Sequence, residues 1–130
     1  MNKKKIKLSN KEILQKITAL ESVVAKQLPI RASYAVSKNV EIINKELEFY
    51  NKENSKLVKK YAKKDDNETP VKDKKGKILL DEPEEFKKEY NELLKIEIEL
   101  EIYMCKIENL GDKDFSAAEL TAIKFMLEDY

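Results

Sequence analysis

One guanidinium stands alone in this chain. Arg31, inside "LPIRASYAVSKN" (residues 28–39), is the single arginine among 26 basic residues, and every other one is a lysine. Pro29 suits the first turn of a helix, so Arg31 is expected close to a helix N-terminus. Helical spacing then lines it up with Tyr34 and Lys38, one and two turns further on. Free amide donors, the positive end of a helix and a planar guanidinium together suit a phosphate or a carboxylate. Arg31, Tyr34 and Lys38 are therefore the candidate anion- or partner-binding residues. The plainer reading is a surface ion pair with an acidic residue such as Glu101.

Other chemistry is thinly represented. Glu97, Glu99 and Glu101 form an acidic row, which on a strand with one buried face reads as its wet side rather than as a metal site. The chain has no histidine and one cysteine, Cys105, so neither the usual zinc ligand sets nor an internal disulfide is available. Two glycines, Gly76 and Gly111, are too few for a glycine-rich phosphate cradle, and no nucleophile-elbow or P-loop pattern occurs. The residues thus point away from an enzyme and call for no cofactor and no metal. Lys3, Lys4 and Lys5 lack aromatic interleaving, and the formal net charge is only +1, so a nucleic-acid partner is not expected. No 18-residue apolar run is present, nor the apolar core of a signal peptide, so no membrane association and a cytoplasmic location are expected.

The elements that must position Arg31 follow from periodicity. "KIKL" (5–8) alternates like a short strand, and Ser9 and Glu12 stand at capping-box spacing before a helix running from about Asn10 to Gln27. From Pro29 to about Lys64, apolar residues recur in steps of four and three at Val36, Val40, Ile43, Leu47, Tyr50, Leu57 and Tyr61. Asn54 fills the one polar place and reads as a register-setting residue. This seam predicts a long helix, part of which pairs with a later helix or meets a second subunit, a dimer being the favoured oligomer. The polar stretch of about 65–82 is expected to be the hairpin tip, as a loop or weak hairpin, and Pro83 to about Lys95 the returning helix, with Phe86, Tyr90, Leu93 and Leu94 on its buried face. "IEIELEIYM" (96–104) alternates strictly and predicts a strand, with Lys5 and Lys7 facing its glutamates. Ser116 and Glu119 open a last helix with Leu120, Ile123, Phe125, Met126 and Leu127 on its buried side. The expected fold is α+β and mostly helical: one domain over 1–130, a long helical hairpin braced by N- and C-terminal helices, with a small two-stranded ribbon.

The segments "KLSNKEIL", "LPIRASYAVSKNVEIINKELEFYNKENSKLVKKYAKKD", "NELLKIEIELEI" and "FSAAELTAIKFMLED" resemble a group of small uncharacterised proteins encoded by tailed phages and prophages of low-GC Gram-positive bacteria. The most specific piece is "LP", then Tyr34, then "KN". The resemblance implies a phage source and a non-enzymatic role. The function expected is that of an interaction protein docking on a host or phage protein, for example a host defence component that it would inhibit. The alternatives are an oligomer that sequesters a phosphorylated small-molecule signal and a factor in virion or tail assembly.

Overall fold

The computed structural model describes all 130 residues, and Ser9 joins its first two elements. Strand β1 (Lys3–Ser9) runs directly into helix α1 (Asn10–Val24). The Ser9 hydroxyl accepts from the Glu12 amide at 3.1 Å, and the Glu12 carboxylate accepts from the Ser9 amide at 3.2 Å. Two otherwise orphaned donors are satisfied reciprocally, so the turn from strand to helix needs no intervening loop. Helix α2 (Ile30–Tyr61), helix α3 (Pro83–Lys95), strand β2 (Glu97–Tyr103), a 3₁₀ turn (Ile107–Leu110), helix α4 (Ala117–Ile123) and a second 3₁₀ turn (Lys124–Met126) follow. The fold is α+β and mostly helical, with one two-stranded antiparallel sheet. No helix is long and apolar enough to cross a membrane.

The chain forms two compact units, residues 1–47 with 97–130 and residues 48–96. In the first, β1 and β2 pair with Lys5 opposite Glu101 and Lys7 opposite Glu99. The ion pairs run diagonally, Lys3 to Glu101 and Lys5 to Glu99, each at 3.9 Å. All three glutamates of β2 are exposed, while Leu8, Leu100 and Ile102 on the other face are buried. Onto that face pack Ile13, Leu20 and Val23 of α1, Val36 and Ile43 of α2, and Ile123 with Met126. Strict alternation thus resolves to a strand, although Ile96 lies outside it and is exposed.

Two expectations are corrected in this unit. Helix α1 stops at Val24, not near Gln27. Helix α4 is only seven residues long because the chain tightens into a 3₁₀ turn and then pairs Leu127 with Cys105 as an isolated parallel bridge. That bend leaves Leu120 exposed, while Met126 and Leu127 reach the core. The seam on α2 does not pair helix to helix along its whole length. Val36, Val40 and Ile43 belong to the core that the ribbon shares, because an aliphatic row packs on a sheet face as well as on a helix.

In the second unit, residues 48–61 of α2 and helix α3 form a helical hairpin. The Tyr50 and Tyr90 hydroxyls lie 2.8 Å apart, Tyr61 meets Phe86 edge-on, and Lys60 reaches Glu89 at 3.1 Å. The tip is an ordered ring. Backbone amides of Lys63, Val71 and Leu79 donate in a cycle, Val71 to Lys63, Leu79 to Val71 and Lys63 to Leu79, each at 2.8 Å. A second set keeps the same eight-residue step: Asp65 donates to Thr69, Asp73 to Lys77 and Asp81 to Tyr61. Asp65 and Asp73 each fold a turn by accepting two backbone amides on Oδ1, from residues two and four places on. Glu68 and Gly76 occupy the positive-φ place of these turns. At the third turn, the residue two beyond Asp81 is Pro83, which has no amide to donate, and the chain enters α3 instead.

Candidate binding site at the start of helix α2

Arg31 lies in the first turn of α2 and lines a polar cleft of about 360 Å³. Asn2, Lys106, Glu108, Asn109 and Glu128 supply its other polar lining, beside Met1, Met104 and Cys105. The cleft walls are tied by bonds that leave Arg31 out. Asn2 Nδ2 donates to Glu128 at 2.6 Å, the Ile107 amide donates to Asp129 at 2.9 Å, and the Lys106 amide donates to Asn109 at 2.8 Å. Glu101, the acidic residue the sequence offered as an ordinary surface partner for Arg31, is bridged to Lys3 instead. Arg31 thus lines the cleft without a hydrogen bond or ion pair to its own chain.

Tyr34 and Lys38 continue up the same side of α2 without entering the cleft. The Tyr34 ring meets Tyr103 edge-on with centroids 5.9 Å apart, and Lys38 Nζ sits 5.8 Å from the Tyr34 ring centre. Lys3 covers the Tyr103 ring from β1 at 4.8 Å. These cation–π contacts hold the two tyrosines in an ordered row beside the ribbon. Tyr34 is 48 % exposed, and Ile30, one turn below it, is 80 % exposed. The three candidate residues thus divide into a cleft residue, Arg31, and a ridge, Tyr34 with Lys38. Leu47 packs half-buried against the first unit's core, and the remaining seam residues lie in the second unit: Tyr50 and Tyr61 are buried, while Leu57 and Asn54 are half-buried. Asn54 lines an apolar cleft with Val58, Ala62, Pro70 and Ile78, whose last three members are spaced by the eight-residue step.

Asn39 positions this ridge. It is fully buried, and its amide clasps one residue of β2: Nδ2 donates to the Tyr103 carbonyl at 2.9 Å, while the Tyr103 amide donates to Oδ1 at 2.8 Å. The side chain does for the free edge of β2 what another strand would do, satisfying both backbone groups of Tyr103. Its role was readable from spacing, since a helix places residue 39 on the face shared by Ala35, Val36 and Ile43. An asparagine there must be bonded or very costly.

A second anchor sits at the far end of α1. The nearly buried Glu119 closes the capping box of α4 and also accepts from the Ser22 hydroxyl at 2.8 Å, with Lys26 at 3.4 Å. The Ser116 amide, the Ser22 hydroxyl and the Lys26 ammonium hold its carboxyl down to about 2. Cys105 borders the Arg31 cleft, but burial, helped by Asp129 and Glu128, pushes its thiol up to about 11. It is a packed side chain rather than a nucleophile. No family model, curated protein or solved structure matches this chain.

Proposed function

We propose that the protein is a non-enzymatic, phage-encoded interaction protein that docks on a host or phage protein through the start of α2. The observation that carries this reading is an exposed Ile30 and Tyr34 on consecutive turns beside an arginine without a partner in its own chain. Isolated exposed apolar residues are ordinary, but an aliphatic, a tyrosine and an arginine together have the composition of an interface anchor. The tyrosine is held in place by Tyr103 and Lys38, so little ordering entropy opposes binding.

Sequestration of a phosphorylated signal has weaker support. Glu108 and Glu128 line the same cleft as Arg31, and two carboxylates repel a phosphate dianion. An affinity capture from infected and uninfected host lysates tests the proposal, run with the wild-type chain and with Ile30→Asp and Arg31→Ala. One protein retained at fixed stoichiometry by the wild type and lost with Ile30→Asp is the expected result. Release of a phosphorylated small molecule with no protein partner would replace docking with sequestration.

A further inference from the structure

We propose that the Arg31 cleft receives a carboxylate carried by a polypeptide partner, held by one edge of the guanidinium in two parallel hydrogen bonds. This rests on the docking reading and names the chemistry of its contact. The argument begins with what the cleft offers. Arg31 and Lys106 are cationic donors, Asn2 and Asn109 carry amides, and Glu108 and Glu128 are acceptors, all around about 360 Å³. Asn2 and Asn109 are already engaged, with Glu128 and with the Lys106 amide. The open donors are therefore the Arg31 guanidinium and the Lys106 ammonium, and the open acceptor edges belong to the glutamates.

A ligand matching that set needs a single negative charge for Arg31 and N–H groups for Glu108 and Glu128. A peptide segment provides both, because its backbone amides accompany each carboxylate. A free phosphate provides neither the amides nor a tolerable charge beside two glutamates. The planar fork of a guanidinium fits a carboxylate in two parallel hydrogen bonds, a geometry no lysine reproduces. Ile30, which precedes Arg31 in the chain outside the cleft lining, is 80 % exposed and offers an apolar surface near the start of α2 to a partner that reaches past the cleft. The carboxylate is either a chain terminus or an aspartate or glutamate side chain.

The test uses the full-length protein and a random octapeptide library made in two forms, with free C-terminal acids and with C-terminal amides. Selection on the wild type is expected to enrich peptides with a carboxylate at a fixed place. Enrichment confined to the free acids identifies a chain terminus, and enrichment of Asp or Glu in both forms identifies a side chain. Arg31→Ala is expected to weaken the best peptide by about 10- to 100-fold, the scale of charge-assisted hydrogen bonds, with Arg31→Lys recovering only part of that. The inference is overturned if the library yields no binder, if the binders show no carboxylate preference, or if Arg31→Ala binds as well as wild type. Displacement by micromolar inorganic phosphate overturns it too, by moving the site to the phosphate class. A protein partner that Ile30→Asp loses and Arg31→Ala keeps would leave docking standing and sink the carboxylate alone.

Discussion

Replacing Asn39 by aspartate turns one buried clasp into a pH-dependent one. In the wild type, both backbone groups of Tyr103 are satisfied by a side chain with no solvent exposure. A protonated carboxyl in that place keeps both bonds, accepting from the Tyr103 amide and donating its own proton to the Tyr103 carbonyl. An ionised carboxylate loses the second bond and sets a negative oxygen against that carbonyl. Burial and this repulsion raise the folded-state pKa of the introduced group above the unfolded value of about 3.9. The sign follows from linkage: a carboxyl with a raised folded pKa loses stability as pH climbs from the unfolded value to the folded one. The slope is about 1.4 kcal/mol per pH unit, so a shift of roughly two to three units leaves the variant about 3–4 kcal/mol less stable at pH 7 than its own pH 4 offset would give. Urea unfolding of wild type and Asn39→Asp, followed by circular dichroism at pH 4, 5, 6 and 7, reads this as a widening gap in midpoint. Asn39→Leu should instead show a gap of about 2–4 kcal/mol that does not vary with pH, from two stranded backbone groups. A constant gap for Asn39→Asp, or none, would refute the view that this amide holds the free edge of β2.

The remaining expectations concern other parts of the fold. Glu119→Gln should flatten the acid limb of the stability curve, because a carboxyl held down to about 2 stabilises the fold above the unfolded value of about 4.3 and loses that contribution as pH falls towards 2; acid titration of the unfolding midpoint checks it. Gly111 has φ 73° and ψ −151°, and a Cβ there would sit 3.0 Å from the Pro29 ring, so Gly111→Ala should cost about 1–3 kcal/mol or more in a urea melt. Gly76→Ala has open space around it and should cost only the positive-φ penalty, about 1–2 kcal/mol in the same assay. Arg31→Ala should leave stability within about 0.5 kcal/mol of wild type, as a side chain without an intrachain partner must.

Much of this architecture was legible from short-range pattern. Ser9 with Glu12 and Ser116 with Glu119 marked helix starts because a capping box is local chemistry, complete within four residues. The strand at Glu97–Tyr103 was legible because period-two alternation has one face to bury and one to wet. What the seam touches was not legible, since Val36 and Ile43 carry the same pattern whether a helix or a ribbon covers them. The closed backbone ring within the polar tip was not legible, although Asp65, Asp73 and Asp81 recur every eight residues. The residues between them differ in charge and type, and only the backbone bonds repeat. At the candidate site, the oddity of Arg31 was visible in composition. Its separation from Tyr34 and Lys38 was not, because Lys106, Glu108 and Glu128 enter the cleft from segments distant in sequence.

The eight-residue ring also bears on how the hairpin can vary. Asp81 donates to Tyr61 across its closure, so the end of α2 and the approach to α3 are stapled by the same cycle that orders the turns. The alignment of the two arms is thereby fixed at their tip as well as by the Tyr50–Tyr90 and Tyr61–Phe86 contacts along them. Substitutions at exposed positions of the arms, such as Phe49, are then free to drift toward whatever surface a partner demands. An insertion in the tip is tolerated only where it lengthens a turn outside the cycle, so length variation among relatives should fall at 66–68 and 74–76 and spare Lys63, Val71 and Leu79.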